Sequence, residues 1–137
     1  MRAFIFKANA ESYDLRVRPQ VGEEVVCKVD RYRSWVRTGD LCFFWLDGTL
    51  SLRGLYGWGR LASGLHRIDG LFATRCRFEH RLEPFIPEAV VRAIPVLEEH
   101  PLFTVRLGDN FYLEDDEVAA LMDLIPWAQR PPVLVDY

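Results

Sequence analysis

Lysine is almost absent. Lys7 and Lys28 are the only two among 17 basic residues, the rest being arginine. No G-x-x-x-x-G-K-[ST] phosphate loop and no G-x-S-x-G nucleophile elbow occur. The three cysteines, Cys27, Cys42 and Cys76, are odd in number and far apart. They suit neither a disulfide framework nor a metal site and read as buried thiols. The three histidines, His66, His80 and His100, form no i,i+4 pair and no H-E-x-x-H. No serine or cysteine has a recognisable base nearby, so no local motif argues for catalysis, metal or cofactor. Long hydrophobic runs are missing too: nothing approaches the roughly 18 apolar residues of a membrane span. The first twenty residues carry Arg2, Lys7, Glu11, Asp14, Arg16 and Arg18, too polar for a signal peptide. The expectation is a cytoplasmic, non-membrane protein, and 137 residues suit one domain spanning 1–137.

The net charge of −3 argues against a general nucleic-acid binder, but its distribution is uneven. Residues 1–27 are neutral, residues 28–81 carry +5 and residues 82–137 carry −8. A basic, arginine-rich middle and an acidic end predict opposite-signed surfaces. Arginine suits bidentate phosphate contacts and stacking; the alternative is a general preference for Arg over Lys.

The stretch 38–61, TGDLCFFWLDGTLSLRGLYGWGRL, organises the chain. Gly39-Asp40 makes a turn, Leu41 to Trp45 reads as a buried strand, and Asp47-Gly48 breaks it. Leu41, Phe43 and Trp45 share one face; Cys42, Phe44 and Leu46 share the other. Gly54 to Leu61 reads as a second strand. Its Gly57 and Gly59 alternate with Tyr56 and Trp58, and glycine within a strand marks a bulge or close backbone approach. The glycine face is expected to line a barrel, with Tyr56 and Trp58 packed under the C-terminal helix. Further strands are expected from Ala3 to Lys7, Glu24 to Val29 and Leu71 to Leu82. Short ones follow at Phe103 to Val105 and Phe111 to Leu113. Asp30 to Val36 reads as a helical turn, Pro87 to Arg92 as a short helix. From Glu114 to Ile125 the apolar positions Val118, Leu121, Met122 and Ile125 mark an amphipathic helix, followed by an extended tail.

With these elements placed, the string Arg31-Tyr32-Arg33, Val36-x-x-Gly39-Asp40-Leu41, Phe44-Trp45, Gly48, Arg53-Gly54-Leu55-Tyr56-Gly57-Trp58-Gly59 resembles the core of the EVE domain, in the PUA-like superfamily. Phe4-Ile5-Phe6-Lys7-Ala8-Asn9 resembles that family's opening strand and Asn-containing turn. Asn110-Phe111-x-Leu113 resembles its C-terminal end. The resemblance implies an α+β fold: a curled barrel of five or six strands, flanked by short helices and a C-terminal helix. It also implies a non-catalytic module that reads a modified base, such as a methylated one, flipped out of DNA or RNA into an aromatic pocket.

On that resemblance Trp45, Trp35 and Tyr32 are the candidate pocket walls. Asp47, as acceptor for a cytosine amine, and Asn9, as a bidentate amide, are the candidate readers. Arg31, Arg33 and Arg37 are the candidate phosphate contacts. Each has a plainer reading: packing for the aromatics, turn chemistry for Asp47 and Asn9, a solvated face for the arginines. Two other functions stay open. The related ASCH group includes small amidohydrolases, whose chemistry needs a lysine beside a carboxylate. The acidic C-terminal region could instead dock a protein partner.

Overall fold

The computed structural model describes residues 2–104 and 110–132. Seven strands form within them: β1 (Ala3–Asn9), β2 (Glu24–Lys28), β3 (Leu41–Asp47), β4 (Gly54–Leu61), β5 (His66–Ile68), β6 (Leu71–Pro87) and β7 (Asn110–Leu113). The helices are α1 (Glu88–Arg92) and α2 (Asp115–Leu124). One sheet runs in the order β2-β6-β4-β3-β1-β7, with β5 hairpinned onto β6. β1 and β3 are parallel, Ala3 opposite Leu41 and Asn9 opposite Asp47; the other pairs are antiparallel. No helix among the described residues is long and apolar enough to cross a membrane.

Alternation along β3 builds two cores. Leu41, Phe43 and Trp45 join Ile5, Phe111, Leu121 and Met122 beneath the helices. Cys42, Phe44 and Leu46 join Phe4, Phe6, Cys76 and Phe78 inside the curl of the sheet. The curl needs β6 to lie close on β4, and glycine permits it. A Cβ at Gly59 would sit 1.9 Å from the Arg77 carbonyl oxygen, and one at Gly57 2.6 Å from the Phe78 ring.

Two bulges in β4, between Leu55 and Gly57 and between Trp58 and Gly59, interrupt simple alternation. Tyr56 therefore turns to the inner core and stacks on Phe85 at 4.5 Å, rather than packing under the C-terminal helix as its parity predicts. Trp58 does join the helix-covered core, and its indole N–H donates to the Gln129 carbonyl at 2.8 Å.

The barrel is closed by a side chain. Asn110 on β7 is fully buried. Its Oδ1 accepts from the backbone N–H groups of Asp30 at 3.1 Å and Arg31 at 3.2 Å, and its Nδ2 donates to the Arg31 carbonyl at 2.8 Å. One amide thus ties the chain just beyond β2 to the opposite edge strand.

Other expectations shift at the ends of elements. β6 runs on to Pro87, and the three-residue β5 has no signal beyond the Asp69-Gly70 turn that follows it. Phe103 ends a 3-10 turn rather than starting a strand, and Val105 lies outside the described residues. A capping box opens α2, the Glu117 carboxylate accepting from the Glu114 N–H at 2.8 Å. The tail makes a 3-10 turn at Trp127–Gln129, and residues 133–137 lie outside the described residues.

Candidate functional site

The sheet fails to close along half of β1. β7 pairs only with Ala3 to Phe6, so among the described residues Lys7 to Asn9 has β3 on one side and no strand on the other. β2, across the gap, pairs only with β6. A cavity of about 510 Å³ occupies this slot, within the range of small-molecule sites. Phe6, Phe44, Leu15 and Cys27 supply apolar lining, and Asn9, Ser12, Tyr13, Glu24 and Lys28 supply polar groups.

The walls are held by identifiable contacts. Asn9 ends β1: its side chain accepts from the Glu11 N–H at 2.9 Å, and its carbonyl accepts from Ser12 and Tyr13. Arg81 donates to the carbonyls of Leu15 and Pro19 and fixes the loop after β1. Arg18 lies 4.3 Å from the centre of the Tyr13 ring and covers it on one side. Burial raises the Tyr13 hydroxyl above its usual pKa, so it is a neutral donor at physiological pH. Val29 donates to Phe72 across the β2–β6 ladder. By alternation the odd-numbered residues of β2 face β6, which leaves the backbone N–H and C=O of Val26 on the free edge toward the slot. Burial also pushes the Cys42 and Cys76 thiols up. All three cysteines are free and buried, and no group of His, Cys, Asp or Glu among the described residues can hold a metal ion.

The expected site residues divide three ways. Asn9 lines the slot. Trp45 does not: it is 1% exposed, on the helix-covered face, with the Phe103 ring edge-on at 5.8 Å. The Pro101–Phe103 turn covers that end of β3 through the Phe103 ring. Asp47 sits outside the slot, 3.9 Å from the Lys7 ammonium and 3.3 Å from Arg53. Tyr32 and Trp35 do meet, at 5.1 Å, but at the far end of β1. Tyr112 packs edge-on against Trp35 at 4.9 Å, and the Arg2 guanidinium stacks on Trp35 at 5.0 Å. Arg33 is exposed on this end, Arg37 donates to the carbonyls of Ser34 and Val36, and Arg31 lies 5.8 Å from the Phe111 ring centre.

Tyr13, Cys27, Phe6 and Phe44 are among the slot residues that sequence reasoning misses. The signal that would find them is a pairing fact, the edge of Lys7 to Asn9 that no strand among the described residues covers, which no local motif encodes.

No family model matches the chain, and no curated protein does either. Solved structures do. The human THYN1 protein in complex with 5-methylcytosine-containing DNA superposes with a TM-score of 0.70 at 15% identity, over 90% of this chain and 97% of that one. The DUF55 domain of human thymocyte nuclear protein 1 gives 0.68 at 14% identity, over 89% and 97%. Protein PSPTO5229 from Pseudomonas syringae gives 0.73 at 14%, over 89% and 98%. The fold is therefore the PUA-like curled sheet implied by the resemblance to the EVE domain.

Proposed function

We propose that this chain is a non-catalytic nucleic-acid-binding module that takes a modified base into the slot between β1 and β2. The observation that carries the reading is the slot itself, a cavity of about 510 Å³ with an apolar floor, polar groups at its edge and, among the described residues, a strand edge left without a neighbour beside it. A flipped base needs a face to stack on, an apolar space for its added group and donors and acceptors along its edge. Tyr13 offers the stacking face. Phe6, Phe44 and Cys27 offer the apolar space, where a buried methyl group contributes about 0.8 kcal/mol. The Asn9 amide and the Val26 backbone offer the edge contacts. The likeness to a DNA-bound THYN1 structure supports this choice of ligand.

The amidohydrolase alternative draws on one fact: both lysines of the chain lie along the slot. Lys7 does stand beside a carboxylate, 3.9 Å from Asp47, but Asp47 does not line the slot. The carboxylate that does, Glu24, pairs with Arg77 at 3.5 Å, and this placement supports binding over hydrolysis. Lys28 and Glu24 stand four residues apart on one strand, about 13 Å.

The test is a calorimetric panel of modified and unmodified nucleosides and short duplexes against the parent and Ala8→Trp, which fills the slot. The expected result is preference for one modified base, lost in a folded Ala8→Trp. Equal binding by the filled variant, or turnover of an acylated nucleoside, would overturn the reading.

A further inference from the structure

A separate surface sits at the opposite end of β1. Two clusters joined by the Arg33–Trp35 turn make it up: Arg2 on Trp35 with Tyr32 and Tyr112 beside it, and Arg33 over the Phe72 ring at 4.2 Å with Arg67 over the same ring at 4.9 Å. Two guanidinium groups share one phenyl ring, and among the described residues neither has a carboxylate within ion-pair distance. Asp40, the buried acid of this end, is spent on backbone: it accepts from the N–H of Arg2 at 3.2 Å and of Arg37 at 3.0 Å. Asp30 and Asp69 are exposed and make no ion pair with these arginines. Trp35, 37% exposed, is the accessible aromatic of the cluster.

Uncompensated guanidiniums beside an exposed indole match a phosphate backbone with a base to stack. An acidic peptide would satisfy the charges but leave the indole unused. We propose that this arginine–aromatic rim is an additional contact on the nucleic acid whose modified base enters the slot. Arg33 and Arg67 hold phosphates there, and Trp35 stacks on a flanking base. The proposal rests on the slot reading for its ligand, but its geometry is independent. The rim starts beside the slot, where Phe72 lies opposite Val29 and next to the slot-lining Lys28, and ends at Trp35 beside Arg2, about 20 Å from Asn9 along the seven residues of β1. A stacked strand advances about 3.4 Å per nucleotide, so reaching Trp35 from the slot takes about six nucleotides.

The experiment is a length series of oligonucleotides carrying the preferred modified base, from free nucleoside to about ten nucleotides, at several salt concentrations. Poly-glutamate serves as the non-nucleic polyanion. Parent protein, Arg33→Glu/Arg67→Glu and Trp35→Leu are compared. The expected result is a rise in affinity between the free nucleoside and about six nucleotides that the double variant abolishes. Its salt slope should fall by about two, one for each lost phosphate contact. Trp35→Leu should weaken the longer oligonucleotides while leaving the salt slope in place. Free-nucleoside binding should be unchanged in all three proteins. A length step that survives the double variant, no step at all, or poly-glutamate competing as well as nucleic acid would overturn the rim. Nucleosides failing to bind while long oligonucleotides bind through Arg33 and Arg67 would sink the slot reading and leave the rim standing. No binding at any length would sink both.

Discussion

The two faces of β3 are close to equivalent in composition and opposite in consequence. Leu41, Phe43 and Trp45 point one way, Cys42, Phe44 and Leu46 the other, and all six are buried. One face lies under helices and the Pro101–Phe103 turn. The opposite face lines a barrel in which no strand among the described residues stands between Lys7–Asn9 and β2. Aromatic content does not separate a closed core from the proposed slot; the neighbours of each strand edge do. Trp45, the largest ring on β3, is a structural residue, and the smaller Phe44 lies against the open slot.

Substitutions on the two faces should therefore separate stability from binding. Trp45→Ala is expected to have the largest effect on stability, about 3–5 kcal/mol, the usual loss for a buried aromatic. The surviving folded fraction should still bind slot ligand with parental affinity. Urea denaturation paired with calorimetry checks both halves, and weakened ligand binding at constant folded fraction would place Trp45 back in the site. Asn110→Ala removes three hydrogen bonds and leaves the N–H groups of Asp30 and Arg31 without their acceptor. The expected loss is about 1–3 kcal/mol. Amide exchange should rise along β2 and β7 before it rises along β3 and β4.

How much of this the sequence reveals depends on the range of the interaction responsible. The β3 and β4 strands, their pairing and the two-faced alternation of β3 follow from turns and period-two patterns that sit within a few residues. The fates of Tyr56 and Trp58 do not. Two bulges sort them to different cores, and those arise from how β6 bends across three glycines. Asn9 is found through the resemblance to the EVE domain, whose opening strand leads into an Asn-containing turn. Tyr13, Cys27 and Val26 meet at the slot through the packing of β2 against β1 and the loop after it, which no local motif encodes. Tyr32 and Trp35 are close in sequence and their contact is legible there, but the end of β1 they occupy is a matter of topology.

Smaller effects follow on the slot side. Tyr13→Ala should cost binding roughly 1–3 kcal/mol, the stacking contribution of one ring to one base. Stability should change little, because the ring is only partly buried. Binding that survives intact would remove Tyr13 from the site. Titration distinguishes the inner core further. Burial raises the Cys42 and Cys76 thiols from a usual 9.0, and the Tyr13 and Tyr56 hydroxyls from a usual 10.0. An acid raised on folding is neutral in both states below its unfolded value, so its contribution is fully present there. It is lost as pH rises through the folded value, because only the unfolded chain ionises. Stability should therefore be level through neutrality and fall above about pH 9. Replacing Cys42 and Cys76 with alanine should shallow that fall. An unchanged alkaline slope in the double variant would contradict the assignment.

The most direct measurement of the central claim is a two-dimensional amide NMR titration with the preferred modified nucleoside. The account predicts shifts concentrated at Lys7 to Asn9, Ser12, Tyr13 and Glu24 to Lys28, with the amides of Leu102 and Phe103 and along α2 unmoved. Shifts centred on the helix-covered face, or identical spectra with modified and unmodified nucleosides, would contradict it.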